Sequence, residues 1–201
     1  NSLVGSKASD NIGQNVLELS NGNFVVQSSS WDNGAATNVG ALTWGSGTAG
    51  LPVGPITSSN SLIGASSGDV VGSALVLTNG NYVALTANWK NGATSVGAVT
   101  WCDGNTGRTG VVGTGNSLIG STANDGVGNS AVALTNGNYV VASPNWDNGA
   151  TANVGAATWC SGFGPTTGTV SAANSLIGST TNDTVGNNTP VALANGHYVV
   201  L

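Results

Sequence analysis

Short runs of apolar residues, rich in β-branched and aromatic side chains, flank an Asn-Gly pair at four places along the chain. No stretch keeps the 3.6-residue apolar period of an amphipathic helix. An Asn-Gly pair between two such runs is typical of a two-residue hairpin turn, because both central positions need positive φ. The pattern therefore predicts four β-hairpins. They are VLELSNGNFVV at 16–26, LVLTNGNYVAL at 75–85, VALTNGNYVVA at 132–142 and VALANGHYVVL at 191–201.

A second Asn-Gly pair follows each of the first three hairpins, in a WxNG motif that leads into another short strand. The motif is WDNG at Trp31, WKNG at Trp89 and WDNG at Trp146. The strand is GALTW at 40–44, GAVTW at 97–101 and GAATW at 155–159. A period of two predicts that one face of this strand packs in the core. The paired residues on that face are Leu42 with Trp44, Val99 with Trp101, and Ala157 with Trp159.

These elements form one internal repeat, which opens with NSLVG at Asn1 and with NSLIG at Asn60, Asn116 and Asn174. The units are 1–59, 60–115, 116–173 and the partial unit 174–201, and together they form a single repeat domain. A period of about 57 residues with four strands predicts an all-β fold, a β-propeller of four-stranded blades. The alternative is a β-solenoid, in which each unit would be two irregular rungs, since a rung needs only about 20 to 30 residues.

Composition narrows the choice of partners. Only 5% of residues are charged, 32 are Gly, and three Lys+Arg against eight Asp+Glu give a net charge of −5. No basic stripe is present that would neutralise nucleic-acid phosphates, and no apolar run approaches the roughly 18 residues of a membrane-spanning helix. We therefore expect neither nucleic-acid binding nor membrane insertion. A chain that opens at Asn1 is consistent with a processed or excised segment.

The succession of D-x-V-G, NGNYVV, SPxWDNG and GAVTW resembles a tandem repeat of very large filamentous-haemagglutinin-like bacterial surface proteins. A more distant similarity, to the FG-GAP blades of integrin-type propellers, rests on Gly128 with Val132, on 139–144 and on 155–159. The resemblance implies a secreted or cell-surface (extracellular) adhesion module, and it brings no catalytic site. Calcium-binding FG-GAP loops carry alternating carboxylates that this sequence lacks, so calcium is not implied and we expect no cofactor.

The WxNG loops are the candidate binding sites. An indole ring stacks on the apolar face of a sugar while nearby carboxylate and amide groups bind its hydroxyls. The alternative is that these rings fill the space between blades, because Trp is usually buried. In the second unit Lys90 stands where the other two have Asp, which would alter a ligand contact. The candidate residues are Trp31, Asp32, Asn33, Trp89, Asn91, Trp146, Asp147 and Asn148.

Other residues with reactive or ligating side chains fit structural roles better. One Asp recurs in each unit, at Asp10, Asp69, Asp125 and Asp183. A single carboxylate per unit falls short of the six to eight oxygens that calcium prefers, so a backbone cap is favoured over a metal ligand. Cys102 and Cys160 leave a disulfide open, although equivalent positions on adjacent blades are usually too far apart.

Two functions from different classes remain. The first is a multivalent, non-catalytic carbohydrate-binding (lectin-like) or adhesion module that recognises glycans or cell-surface glycoconjugates. The second is a structural spacer of a bacterial surface fibre. An enzyme is not expected, because the single His197 lies in a turn and no acid–base pair can be assembled around it. Three and a half units suggest that a homodimer completes a seven-bladed ring.

Overall fold

The computed structural model describes residues 2–201, and this range contains twenty short strands and no helix. The all-β expectation is thereby confirmed. Unit one holds β1 (Leu3–Val4), β2 (Asn15–Glu18), β3 (Phe24–Ser28), β4 (Ala41–Gly45) and β5 (Gly54–Pro55). Unit two holds β6 (Leu62–Ile63), β7 (Ser73–Val76), β8 (Tyr82–Thr86), β9 (Lys90–Asn91), β10 (Thr94–Ser95), β11 (Ala98–Cys102) and β12 (Gly110–Val111). Units three and four hold β13 (Ser117–Ile119), β14 (Ser130–Ala133), β15 (Tyr139–Ser143), β16 (Ala156–Cys160), β17 (Gly168–Thr169), β18 (Ser175–Ile177), β19 (Val191–Ala192) and β20 (Tyr198–Val199).

The four hairpins form where the sequence predicts them, but their turns differ from the prediction. In the first, the Leu19 carbonyl accepts the Gly22 N–H at 3.0 Å, and the Leu19 N–H donates to the Asn23 carbonyl at 2.8 Å. Only Gly22 has positive φ, at 83°, whereas Asn21 does not. The loop is therefore a three-residue turn closed by a left-handed glycine. The two-residue turn is wrong, because Asn-Gly also suits this longer loop, in which only the glycine needs positive φ.

Each of the three main sheets combines strands of two units. The orders are β2-β3-β4-β6-β12, β7-β8-β11-β13-β17 and β14-β15-β16-β18. The first three strands of each sheet form an antiparallel meander, and the NSLIG strand of the next unit pairs antiparallel with its third strand. The following unit thus completes the four-stranded meander. The sequence did not predict the fifth strand, which pairs in parallel with the NSLIG strand.

The core lies between successive sheets. Leu42 and Trp44 pack against the second sheet, and Val99 and Trp101 pack against the third, which confirms the predicted faces of these strands. Ala157 is likewise buried against the fourth unit, whereas Trp159 is 48% exposed. Alternate residues of a strand point to opposite faces of its sheet. The second sheet, which lies between the first and the third, is buried on both faces.

A glycine at the start of each GAxTW strand allows the next unit to approach closely. Gly40 has a φ of 72° and forms a parallel bridge with Val71 of the second unit. A Cβ atom at this position would overlap the Val71 backbone. The same bridge recurs between Gly97 and Val127, and between Gly155 and Val185. The backbone of each loop that follows NSLIG is thereby held against the preceding unit.

The first hairpin strands β2, β7, β14 and β19 of successive units lie beside one another. Within residues 2–201 every sheet is open, and none closes into a barrel. The minor sheets are the parallel pair β1-β5 and the antiparallel pairs β9-β10 and β19-β20.

Candidate functional site

The repeated aspartates are backbone caps, and those of the first three units are buried. In the third unit, Oδ2 of Asp125 accepts the N–H groups of Ser121 and Thr122 at 2.7 and 2.8 Å. Oδ1 accepts the N–H of Asp147, in the WDNG loop, at 3.1 Å. The side chain is fully buried. This geometry confirms the predicted capping role, and it ties the loop after NSLIG to the WxNG loop of the same unit.

Asp10 and Asp69 make the same three backbone contacts in the first and second units. Burial opposes the ionisation of Asp10, but N–H groups of Lys7, Asp32 and Ser6 outweigh it and lower the pKa of that carboxyl. The exposed Asp183 has its pKa lowered to about 2, first by the Thr180 hydroxyl and then by two backbone N–H groups. Hydrogen bonds that favour the charged form explain both shifts.

The three WxNG indole rings are buried. Trp31, Trp89 and Trp146 are 3, 4 and 3% exposed, and each belongs to a hydrophobic cluster between sheets. Trp89 also donates its Nε1–H to the Val112 carbonyl at 3.2 Å. A ring with so little exposed surface has no face on which a sugar could stack, so the predicted stacking role is wrong. The alternative, that these rings fill the space between sheets, describes them correctly.

The carboxylates of the two WDNG loops are used within the loops themselves. Oδ1 of Asp32 accepts the Asn38 N–H at 2.7 Å, and Oδ2 lies 3.3 Å from Lys7 Nζ. Asp147 repeats the first contact with the Asn153 N–H at 2.7 Å. These carboxylates therefore hold the left-handed asparagines at the end of each loop, whose φ angles are 49° and 51°. Their geometry assigns them a role in loop conformation.

Lys90 replaces this carboxylate in a loop that is one residue shorter and lacks the asparagine. Its Nζ donates to the Ser67 carbonyl at 2.8 Å and lies 3.8 Å from Oδ1 of the buried Asp69. Without an asparagine N–H to accept, a carboxylate here would only face Asp69. The substitution and the shorter loop are thus parts of one structural variant.

The asparagines of the WxNG motifs remain exposed. Asn33 exchanges two backbone hydrogen bonds with Ala36, at 2.9 and 3.0 Å, and Gly34 between them has a φ of 60°. This is a two-residue turn with glycine at its first central position. Asn148 pairs in the same way with Thr151, and Asn91 pairs with Thr94. Of the eight candidate residues, these three asparagines alone belong to the exposed class.

A groove between the first two units was not predicted. It has a volume of about 370 Å³ and is lined by Trp44, Leu51, Pro52, Thr106 and Arg108, among others. The Trp44 ring is half-buried and donates its Nε1–H to the Gly104 carbonyl at 2.9 Å. Arg108 is the one arginine of the sequence, and this is the sequence feature that could have indicated the groove. Thr106 and the neighbouring hydroxyls add hydrogen-bonding groups to its rim.

The cysteines are buried and unbridged. Cys102 lies opposite Tyr82, and Cys160 lies opposite Tyr139, on adjacent strands. Burial raises the pKa of both thiols to about 12, so both stay protonated at neutral pH. The disulfide left open by the sequence is not formed. His197 is exposed in its turn, as expected.

The fold and these loops define a class: an all-β tandem-repeat protein whose units share strands. Comparison with protein families identifies the family. The chain belongs to the family described as "Repeat of unknown function (DUF5650)", which matches residues 1–14, 18–73, 76–129 and 133–187. No curated protein matches the chain. Within residues 2–201, no helix is long and apolar enough to cross a membrane, and no three His, Cys, Asp or Glu residues are grouped as metal ligands.

Proposed function

We propose that the chain is a structural spacer, a non-enzymatic module in which consecutive repeats are locked to one another. One observation carries this proposal: at the first and second junctions a single glycine carbonyl accepts three donors from the preceding unit. The Gly104 carbonyl accepts Asn21 Nδ2, Asn23 Nδ2 and Trp44 Nε1, each at 2.9 Å. The Gly162 carbonyl accepts the equivalent atoms of Asn79, Asn81 and Trp101 at 2.8, 2.9 and 2.9 Å.

The identical contacts at both junctions give successive units the same relative placement. A side chain at Gly104 or Gly162 would overlap a carbonyl oxygen of a hairpin loop, so only glycine fits there. Nearest-neighbour contacts that repeat in this way build length and stiffness in an array. These features support a scaffold more directly than they support a ligand site.

A secreted or cell-surface location accompanies this proposal, because the motifs resemble repeats of large bacterial surface proteins. The architecture we favour is a β-propeller-like succession of four-stranded blades, supported by the adjacent first strands of the units. A β-solenoid is the alternative arrangement. A seven-bladed ring completed by a homodimer fits poorly with a four-fold repeat.

Removing side-chain hydrogen bonds at one junction tests the proposed spacer role. In the double variant Asn79→Ala and Asn81→Ala, we expect small-angle scattering to show a less rigid particle and urea unfolding to lose its single cooperative step. Asn91→Ala is the matched control, because this exposed asparagine lies in the same unit and its side chain makes no hydrogen bond with residues 2–201. A double variant indistinguishable from this control would reject the locking role of the junction.

A second candidate function is carbohydrate binding or adhesion, at the groove between the first two units. The observation that favours it is a half-buried indole beside Arg108, whose guanidinium has no carboxylate within ion-pair distance among residues 2–201. An acidic sugar would complement this pairing of apolar surface and unpaired cation. A glycan array of the chain, of Arg108→Gln and of the control Lys7→Gln tests it. Binding lost only in Arg108→Gln supports the groove, and no binding to any glycan rejects it.

A further inference from the structure

Six of the seven Asn-Gly pairs of the sequence fall into two chemical environments, whereas Asn195 in the last hairpin has only its Oδ1 and the Gly196 N–H bonded. In the first three hairpin loops, the asparagine amide and the glycine N–H are both restrained. Nδ2 of Asn79 donates to the Gly162 carbonyl at 2.8 Å, Oδ1 accepts the Asn81 N–H at 3.1 Å, and the Gly80 N–H donates to Leu77 at 3.2 Å. The loops containing Asn21 and Asn136 have the same three restraints.

The asparagines of the WxNG turns have none of these restraints. No residue within 2–201 forms a hydrogen bond with the side chains of Asn33, Asn91 or Asn148. The N–H groups of the following glycines likewise have no backbone acceptor in that range. Apart from the glycine and its two chain neighbours, no residue comes within 4 Å of the place a Cβ atom would take at Gly34, Gly92 or Gly149, so the turn is open on this side.

We propose that Asn33, Asn91 and Asn148 are sites of spontaneous deamidation in the folded protein. The amide nitrogen of the following glycine loses its proton and forms a bond to the asparagine Cγ, and the Cγ–Nδ2 bond breaks with release of ammonia. The resulting five-membered succinimide then takes up one water at either carbonyl. The products are aspartate or isoaspartate, water is the only co-reactant, and no electrons are exchanged.

The physical basis is the availability of three groups. The glycine nitrogen must be free to lose its proton, the Asn side chain must be free to rotate toward it, and water must reach the ring. The hairpin loops withhold the first two through hydrogen bonds that would have to break first. The WxNG turns provide all three, and glycine adds no side chain that would hinder the attack.

Each conversion adds one negative charge to a chain whose net charge is −5. In the first and third units the new carboxylate follows directly after Asp32 or Asp147, whereas in the second unit it follows Lys90. An isoaspartate also lengthens the backbone of a two-residue turn by one carbon. The modification therefore changes the charge of the exposed loops while the junction asparagines stay intact.

The test is site-resolved peptide mapping of the intact folded chain after incubation in mildly alkaline buffer. Aspartate and isoaspartate are quantified by mass spectrometry, and isoaspartate is confirmed by enzymatic methylation. We expect conversion at Asn33, Asn91 and Asn148 to be faster than at Asn21, Asn79 and Asn136 by on the order of tenfold or more. In denaturant all six sites should react at similar rates, because they share the Asn-Gly sequence.

Asn148→Gln is the variant control. Glutamine closes the larger six-membered ring only slowly, so conversion in the third WxNG turn should disappear while Asn33 and Asn91 react as before. Equal rates at turn and hairpin sites in the folded chain would overturn the proposal. Conversion of all six sites in denaturant shows that the assay detects the reaction, so a lack of difference in the folded chain cannot come from the assay.

Discussion

The second and third units share one plan and differ at one loop. Both bury an aspartate cap and an indole, and both complete their sheet with strands of the next unit. The third unit closes its WDNG loop with Asp147 and the Asn153 N–H, whereas the second closes a shorter loop with Lys90 and Asp69. The aspartate cap and the buried indole thus recur in both units, whereas the loop between them has two different structures.

The largest expected effect on stability comes from the buried tryptophan that both units have. Trp89→Ala and Trp146→Ala should each lower the free energy of unfolding by about 3 to 5 kcal/mol, because each leaves a cavity between sheets. Urea denaturation of both variants is the measurement. The phenylalanine variants sharpen the comparison, since only Trp89 donates its Nε1–H, to Val112. Trp89→Phe should therefore cost more than Trp146→Phe, and the reverse order would contradict the assigned contacts.

The cap should come next. Asp125→Ala leaves three backbone N–H groups without the buried carboxylate that accepts them, and we expect a loss of about 2 to 3 kcal/mol in unfolding free energy. The loss should be the same with calcium and with chelator, because the carboxylate oxygens accept backbone N–H groups. Asp125→Asn, which keeps one acceptor oxygen, should recover part of it. Destabilisation seen only in calcium buffer would refute the capping assignment.

The loop difference itself gives a smaller effect. Lys90→Asp should destabilise the chain by about 1 kcal/mol, because it removes an ion pair and places a carboxylate beside the buried Asp69. Replacing Thr94-Ser95 by Thr-Ala-Asn gives the second unit the length of the third-unit loop and its asparagine N–H. We expect this graft to rescue Lys90→Asp in thermal unfolding. A graft without effect would show that the charge and the loop length are unrelated.

The smallest effect is a dependence on acid pH, and it extends the comparison to the first and fourth units. The folded-state pKa values of Asp10 and Asp183 lie below the ordinary aspartate value, so these groups stabilise the fold above about pH 4. Their contribution is lost as pH falls, for Asp183 through about pH 2. Thermal unfolding against pH, with an NMR titration of Asp183, measures this. Unchanged stability of Asp183→Asn relative to the parent at every pH would argue against it.

The regular parts of the fold could be predicted from the sequence. The apolar runs around Asn79 and Asn136 define the hairpins, which form at the predicted places. The parallel strand Gly110–Val111 escaped prediction, because two residues carry no periodicity and its partner lies far along the chain. The turn type escaped as well, since Asn-Gly serves two loop lengths.

The candidate site was harder to predict, for a physical reason. An indole beside a turn can point to solvent or into the core, and only the packing of the next sheet decides. The structure buries Trp31, Trp89 and Trp146, and it leaves the asparagines of the same motifs exposed. Each motif therefore contributes a buried tryptophan and an exposed asparagine. The deamidation that we propose for the asparagine depends on its missing hydrogen bonds, which the spacing of the motif does not reveal.

The sharing of strands across unit boundaries has a mechanical consequence. The second sheet contains three strands of its own unit and two of the third, so a tensile load on one unit also shears strands of its neighbour. Pulling the chain from its ends would have to rupture interlocked sheets before any single repeat could extend. We expect force spectroscopy to record few, large extension steps that span repeat boundaries, because no repeat can extend without also breaking a sheet of its neighbour.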